Sequence, residues 1–352
     1  MSRQLGFGFI GAGEIAVASA AAVRAASSAS LVRVVDARAD LAADLAATYG
    51  GRPAASVDEL LGDPAVEAVY ISTPHFLHKD LALQAAGAGK HVFIEKPMGV
   101  TPDDAWAIVD TCRENGVACG VPFVVRYAPA YREAHRLVQS GAIGRVTGFR
   151  LTYRGDKPRS YWSGGYSGRA TSDWRQSVAQ AGGGVLIMNT IHDLDATLWI
   201  TGLLVEQVQG AIANTNSPGE VEDCAHAFFI CTGGALASLE AQAALPGGAG
   251  PSHRWTNRIY GGEGQILLPT PWGTEPLALF TREAGAWQEL SPDAGDDPRR
   301  RAFEDFAAAV LAGQPVPVPG EACAIASSVI HAVYAAARSG APVAVQGPPG
   351  GR

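Results

Sequence analysis

Five short apolar runs punctuate the first 123 residues, and helix-like stretches fill the gaps between them. The runs are 5–10 (LGFGFI), 31–35 (LVRVV), 68–71 (AVYI), 91–94 (HVFI) and 117–123 (VACGVPF). Near-continuous apolar strands of this length are buried on both faces, which requires helices above and below a parallel sheet. The intervening stretches carry helix punctuation. Thr101 can cap a helix with Pro102 at its first position and Asp104 in its first turn, and Gly116 lies past its end. Gly50 and Gly51 close another that contains Leu41 and Leu45. Residues 1–123 are therefore expected to form an α/β domain built on a doubly wound parallel sheet.

From Val124 the pattern changes. A helix around 129–140 ends at Gly141, and then 145–154 (RVTGFRLTYR) alternates, with Phe149, Leu151 and Tyr153 on one side and Arg150, Thr152 and Arg154 on the other. Similar runs recur at 204–213, 221–231, 235–244, 257–268 and 275–280. Alternation with one wet face marks an antiparallel sheet. Residues 124–352 are expected to form an α+β domain for substrate binding and oligomerisation, with a large, mostly antiparallel open sheet whose far face joins copies into a homodimer or homotetramer.

Composition narrows the partners. Apolar residues make up 47% and charged residues 17%, the balance of a soluble globular protein. A net charge of −7 and the lack of a basic stripe argue against nucleic acid. The densest basic run, Arg299–Arg301, follows Asp296 and Asp297 and is expected to open a solvated helix. No run reaches the roughly 18 uninterrupted apolar residues of a membrane span, and the chain enters its first strand without a signal-peptide pattern. A cytoplasmic location with no membrane partner is expected. The five cysteines (112, 119, 224, 231, 323) form no CxxC pair, so reduced thiols and no metal site are expected.

GAGEIA (11–16) joins the first apolar run to an alanine-rich helix. Gly11 allows a tight turn, Gly13 lets the backbone approach a pyrophosphate, and Ala16 lets helix and strand pack closely. The helix opened by Glu14 and Ile15 offers unpaired N–H groups and a positive dipole end to phosphates. Asp36 ends the second strand (VRVVD), where a carboxylate bonds ribose hydroxyls and repels a 2′-phosphate. This is the pattern of a Rossmann dinucleotide site. NAD is favoured, and Arg38 keeps NADP as the less favoured cofactor.

The run 91–94 ends in Glu95-Lys96-Pro97. At the carboxyl edge of a parallel sheet, where open α/β folds bind ligands, this would deliver Glu95 and Lys96 into the nicotinamide crevice. A partly desolvated lysine near a cationic ring has a lowered pKa suited to proton relay; the alternative is a lysine that caps the strand or pairs with Glu95. A second stretch, GGGVLIMNTIHDLD (182–195), sets a lone His192 on an apolar helix. Between 155 and 181, Tyr161, Trp162, Tyr166 and Trp174 mix with Arg159, Arg169 and Arg175. Such a segment lines a sugar or cofactor site, or is an ordered loop pinned by its aromatics.

Taken together, TPxxxxH (Thr73, Pro74, His78), AGKHVFIEKP (88–97), RYAP (126–129), GGG (182–184) and HxxD (192–195) resemble the Gfo/Idh/MocA family of NAD(P)-dependent oxidoreductases over nearly the whole chain. The resemblance implies hydride transfer at a hydroxyl carbon of a sugar, sugar derivative or cyclitol, with Lys96 and His192 as the catalytic pair. It implies that Thr73, Pro74, His78 and Glu95 join the cofactor set, where His75 flanks the same crevice, and that Trp174, Arg175 and Arg126 serve the substrate. Tyr161, from the aromatic-rich segment, and Asn189, from its helix face, are further candidate substrate contacts. The family commonly has an aspartate four residues before the histidine, as DxGxH; here the position is Met188, and Thr190 fills the small site. Asn189 and Asp195 lie on much the same helix face as His192. The main reading is an active dehydrogenase. Its alternatives are a catalytically inactive dinucleotide-dependent sensor and an NAD-dependent glycoside-cleaving enzyme. His135, His226, His253 and His331 read as surface or core positions.

Overall fold

The computed structural model describes residues 3–247, 257–271, 275–292 and 295–348. His253 lies outside the described residues. The chain forms two compact units: Met1–Pro122 with Ser160–Gly182 and Asp296–Ile325, and Phe123–Arg159 with Gly183–Gly295 and Ala326–Arg352. Two segments from beyond residue 123, 160–182 and 296–325, thus complete the first unit.

The first unit holds a parallel sheet of order β3-β2-β1-β4-β5-β6. Its strands are β1 (Leu5–Ile10), β2 (Ala29–Val35), β3 (Arg52–Pro53), β4 (Ala68–Ile71), β5 (His91–Ile94) and β6 (Cys119–Gly120). Of the apolar run 117–123, only the two residues of β6 join the sheet. The strand order reverses between β1 and β4, so the crevice at their carboxyl ends is the switch point where such sheets take ligands. Helix Pro102–Glu114 begins with a capping box in which Thr101 and Asp104 bond each other's backbone N–H groups.

Six aromatic rings form the core on one face of this sheet. Phe7, Phe9, Tyr70 and Phe93 rise from the strands, and Phe303 and Phe306 descend from helix Pro298–Leu311. Ring centroids lie 4.5 Å apart for Phe93–Phe306 and 5.1 Å for Tyr70–Phe303, and each such pair adds about 0.5–1.5 kcal/mol beyond its burial. Arg299 precedes these two phenylalanines by four and seven residues, so it shares their helix face and turns inward with them. The expectation of a wholly solvated basic run is corrected here. Arg300 and Arg301 pair at the surface with Asp296 and Asp305, whereas Arg299 is drawn to Glu95.

The second unit holds a mostly antiparallel sheet of order β14-β13-β12-β11-β7-β10-β9-β8-β15. Its strands are β7 (Val146–Arg154), β8 (Val205–Ala213), β9 (Cys224–Cys231), β10 (Ala235–Gln242), β11 (Asn257–Gly261), β12 (Gly264–Leu268), β13 (Leu277–Thr281), β14 (Trp287–Leu290) and β15 (Val343–Ala344). The β7–β10 pair is parallel. The run 257–268 splits into two strands at Gly262 and Glu263, and β14 and β15 have no counterpart among the sequence-derived runs. Among the described residues one helix, Gly320–Ser339, is long and apolar enough to cross a bilayer by length and composition; 67% of that stretch is buried, as in a core helix.

Candidate active site

The nucleotide turn is built by close backbone approach. Gly11 has φ of 102°, and a Cβ there would lie 2.9 Å from the backbone of Ser72, so only glycine fits. Gly13 caps helix Glu14–Ala25 without a side-chain bond, and nothing lies within 4 Å of the place a Cβ would occupy. Across the switch point, Thr73 Oγ1 is buried with no hydrogen-bond partner among the described residues. An open backbone at a helix N-terminus beside an unsatisfied hydroxyl fits a dinucleotide phosphate. Asp36 is fixed beside it, because its two oxygens accept the N–H groups of Ala12 (2.7 Å) and Arg38 (2.8 Å). The Arg38 guanidinium turns away to Asp40 at 2.6 Å.

Segment 160–182 lies against this turn and has short helical structure of its own. It contains single helical turns at Tyr161–Gly164 and Val178–Ala181 and a 3₁₀ turn at Trp174–Gln176. Glu14 accepts the backbone N–H groups of Tyr166 (3.1 Å) and Ser167 (2.6 Å). Arg169 donates to Ala12 O at 2.9 Å and pairs with Asp44 at 2.8 Å. Arg175 stacks over both Trp174 (4.6 Å) and Tyr161 (5.4 Å), and Trp174 meets His75 edge-on. The aromatics thus pack on Arg175 and His75, while Arg169 itself bonds the nucleotide turn. The sequence reading singled out Trp174, Arg175 and Tyr161 but passed over the role of Arg169, whose only sequence signal is its place in an aromatic- and arginine-rich stretch.

His75 and His78 are buried beneath this layer. His75 Nδ1 donates to Ala181 O at 2.8 Å, and burial pushes its pKa well below the usual imidazole value, which keeps the ring neutral. His78 sits between two carbonyls, Pro97 O at Nδ1 and Thr73 O at Nε2, both at 2.8 Å. Burial lowers its pKa while both carbonyls pull it back, since a neutral ring has only one N–H to offer two acceptors. His78 thereby ties the TP turn to the EKP turn.

At the end of β5, Glu95 is buried and Lys96 half-buried, and the Lys96–Pro97 peptide is cis. Glu95 Oε1 accepts from Tyr70 OH (2.7 Å) and Arg299 Nη1 (3.1 Å), and Ser19 Oγ donates to Tyr70 OH (2.8 Å). Burial is the largest influence on Lys96 and lowers its pKa below the usual ammonium value; Glu95 opposes this, and Arg299 and Arg175 reinforce it.

In the second unit, His192 follows a π-helical turn, Leu186–Thr190, rather than a continuous α-helix, and begins helix Ile191–Thr201. Such turns are frequent at functional sites. Thr190 Oγ1 bonds Val185 O, five residues back. Met188 is only 3% exposed, whereas Asn189 and His192 are half-buried, so Asn189 is the more accessible polar group of the turn. The His192 ring meets Phe123 edge-on at 5.7 Å. Glu222 holds the start of the turn: its oxygens accept the N–H groups of Gly184 (2.6 Å) and Leu186 (3.0 Å), and Tyr334 OH at 3.0 Å. A Cβ on Gly184 would lie 1.8 Å from Glu222 O, which is the steric reason for glycine there.

The acids around His192 differ. Arg126 forms a two-pronged pair with Asp195 (2.7 and 2.6 Å), so the guanidinium expected to meet substrate already carries an acid partner. Among the described residues no cation acts on Asp193. Burial pushes its pKa up to about 7, against a side-chain bond from Asn257. Arg299, Glu222 and Asp193 escaped the sequence reading. For Arg299 a signal existed, since it stands at the i position of an i, i+4, i+7 stripe completed by two phenylalanines.

Comparison with known proteins agrees with this geometry. Residues 5–123 match the oxidoreductase family with an NAD-binding Rossmann fold, and residues 131–267 match the GFO/IDH/MocA C-terminal domain. The chain is 34% identical over 214 residues to 1,5-anhydro-D-fructose reductase of Ensifer adhaerens, covering 60% of each chain. It is 31% identical over 220 residues to scyllo-inositol 2-dehydrogenase (NAD(+)) of Bacillus subtilis (strain 168), covering 60% of this chain and 58% of that one. The match thus spans about three fifths of these relatives' length. In fold, it resembles levoglucosan dehydrogenase in complex with NADH and levoglucosan, with a TM-score of 0.85 at 24% identity, over 97% of this chain and 100% of the other. The chain belongs to the Gfo/Idh/MocA family of oxidoreductases.

Proposed function

We propose that the chain is an NAD-dependent dehydrogenase or reductase acting at a hydroxyl carbon of a sugar, sugar derivative or cyclitol, with Lys96 and His192 as its proton-transfer groups. The observation that carries this reading is Lys96 itself. It stands at the carboxyl end of β5 beside the switch point, and burial makes its ammonium easier to deprotonate. The named activities of the two relatives support the substrate class.

Bound NAD supplies the acceptor for the hydride. The open backbone at Gly13 and the Thr73 hydroxyl would hold its phosphates and Asp36 its adenosine ribose hydroxyls, with Pro74 and His75 beside Thr73 and the buried His78 fixing that turn to the EKP turn. Arg38, turned to Asp40, favours NAD over NADP. As the carbinol C–H bond breaks, Lys96 or His192 takes the hydroxyl proton; positive Lys96 stabilises alkoxide character, and in the reverse direction the same groups protonate the ketone. Asn189 binds a neighbouring hydroxyl without acting as a base, and Trp174, Arg175 and Tyr161 bound the substrate.

The reading extends to location and assembly. We take the protein to work in the cytoplasm as a homo-oligomer joined through the open sheet. Phe228 (73% exposed) and Leu236 (64%) on β9 and β10 give that sheet an apolar outer face.

The test is absorbance at 340 nm with NAD⁺ and, in parallel, NADP⁺, against cyclitols, aldoses, anhydrosugars and simple glycosides. Growth with NAD⁺ that falls by about 10²–10⁴ in Lys96→Met, with NADH binding retained, is the expected outcome. Full activity in the variant removes lysine from the mechanism. Silence across the panel with tight NADH binding moves the protein to a sensor role or to redox-neutral glycoside cleavage.

A further inference from the structure

We propose that Arg299 is a positioning residue for proton transfer: by pairing with Glu95 it cancels the carboxylate next to Lys96, and so keeps that carboxylate from holding Lys96 in its charged form. The inference rests on the reading of Lys96 as a proton-transfer group, but it concerns how that lysine is set up.

The geometry is specific. Arg299 Nη1 reaches Glu95 Oε1 at 3.1 Å and Ser19 Oγ at 3.2 Å. Tyr70 OH donates to the same carboxylate oxygen and receives the Ser19 hydroxyl, which closes a ring of four side chains. The ring is protected, with the Glu95 and Arg299 side chains 9% and 18% exposed. The other carboxylate oxygen faces the Lys96 backbone N–H at 3.3 Å. Arg299 arrives from a distant part of the sequence because Phe303 and Phe306, on the same helix face, lock into the aromatic core.

Charge arithmetic then decides the effect. The groups acting on Lys96 are Glu95 at its own strand end, Arg299 from helix Pro298–Leu311, Cys323 from helix Gly320–Ser339 and Arg175 from the 3₁₀ turn. His75 and His78 also lie within its influence and are kept toward neutrality by burial. Without Arg299, Glu95 would stabilise the lysine's charge in a site of low dielectric, where one uncompensated carboxylate raises a neighbouring base by a unit or more. Arg299 both screens that carboxylate and repels the ammonium.

The chain has four lysines, 79, 90, 96 and 157, so ¹³Cε-lysine labelling gives a spectrum in which Lys96 is assigned by its loss in Lys96→Arg. The titration of that signal needs no substrate. In Arg299→Gln its midpoint should move alkaline by about one pH unit or more. In Glu95→Gln it should move the other way, and the double variant should lie between. Arg300→Ala should leave it in place. The acidic limb of the kcat profile should follow the same shift in Arg299→Gln, and Arg299→Lys should restore much of it. Should the single variant fail to fold, Glu95→Gln and the double variant, which bury no lone carboxylate, still give the ordering. Superimposable Lys96 titrations across these variants overturn the proposal and leave the catalytic reading intact; full turnover in Lys96→Met overturns the catalytic reading whatever the titrations show.

Discussion

The strand end at Glu95 and the helical segment around His192 both bury acids, and they stabilise them by different means. Glu95 is held by a cation, a phenol and a backbone N–H, and its charge is cancelled by Arg299. Around His192, Asp195 is treated in the same way by Arg126, but Asp193, two residues earlier on the same helix, is met by the Asn257 amide and, among the described residues, by no cation. Burial alone therefore does not fix what an acid does. Burial raises the pKa of both acids; at Asp195 the bidentate guanidinium of Arg126 pulls it back toward the charged form, whereas at Asp193 an amide leaves it near its point of protonation at neutral pH. The first arrangement suits a scaffold and the second a group that can change state.

The sharpest way to break this contrast is to remove the cation from the paired acid. Arg126→Met leaves Asp195, whose side chain is 2% exposed, with a charge and no counter-ion. The expected loss is about 3–5 kcal/mol of unfolding free energy, read from urea titrations of native protein and variant. Adding Asp195→Asn should recover much of it. A loss below about 1 kcal/mol would mean that Asp195 is already neutral in the native protein, and the contrast with Asp193 would disappear.

The acid held by an amide makes the opposite prediction. The native protein keeps the Asp193 proton until about pH 7, whereas an unfolded chain releases it near pH 4. Between those values the native state binds more protons, so this group's contribution to stability falls as pH rises and levels off above pH 7. Asp193→Asn keeps a donor for the site and removes the titration. Thermal melts should therefore show the variant gaining on the native protein between pH 5 and pH 8, by roughly 1.4 kcal/mol for each pH unit over which the two states differ in protonation. An equal difference in Tm at both values would show that Asp193 is already ionised in the fold.

The same contrast explains what could be read in the sequence. The boundaries of β1, β4 and β5 follow from near-continuous apolar runs, and the Thr101–Asp104 box follows from local bonding; both are short-range physics. The placement of GAGEIA, Asp36 and EKP at strand ends was legible because each needs a residue type at a fixed place on a strand–turn–helix unit. The π turn before His192 was not, because its register depends on Glu222, more than thirty residues away, gripping the N–H groups of Gly184 and Leu186. Arg299 was misread for a related reason. Its charge suggested solvent, while the two phenylalanines on its face specified the interior. Local pattern reports which face of a helix is apolar, and only tertiary contact reports which charge is carried in with it.

Arg299 and Arg300 give the smallest but most controlled test, since they are adjacent in one helix turn. Arg300 pairs with Asp296 at 2.6 Å, an i, i+4 contact in which the acid is 54% exposed. Water screens such a pair, and fixing two mobile side chains offsets most of its attraction. Arg300→Ala should change unfolding free energy by no more than about 0.5 kcal/mol and leave the pH dependence of turnover unchanged. A larger loss would mean that the run acts as one electrostatic unit, and the effect assigned to Arg299 would then have to be shared with its neighbour. A loss within that limit, beside a clear Lys96 shift in Arg299→Gln, would tie the effect to the side chain that the aromatic core carries inward.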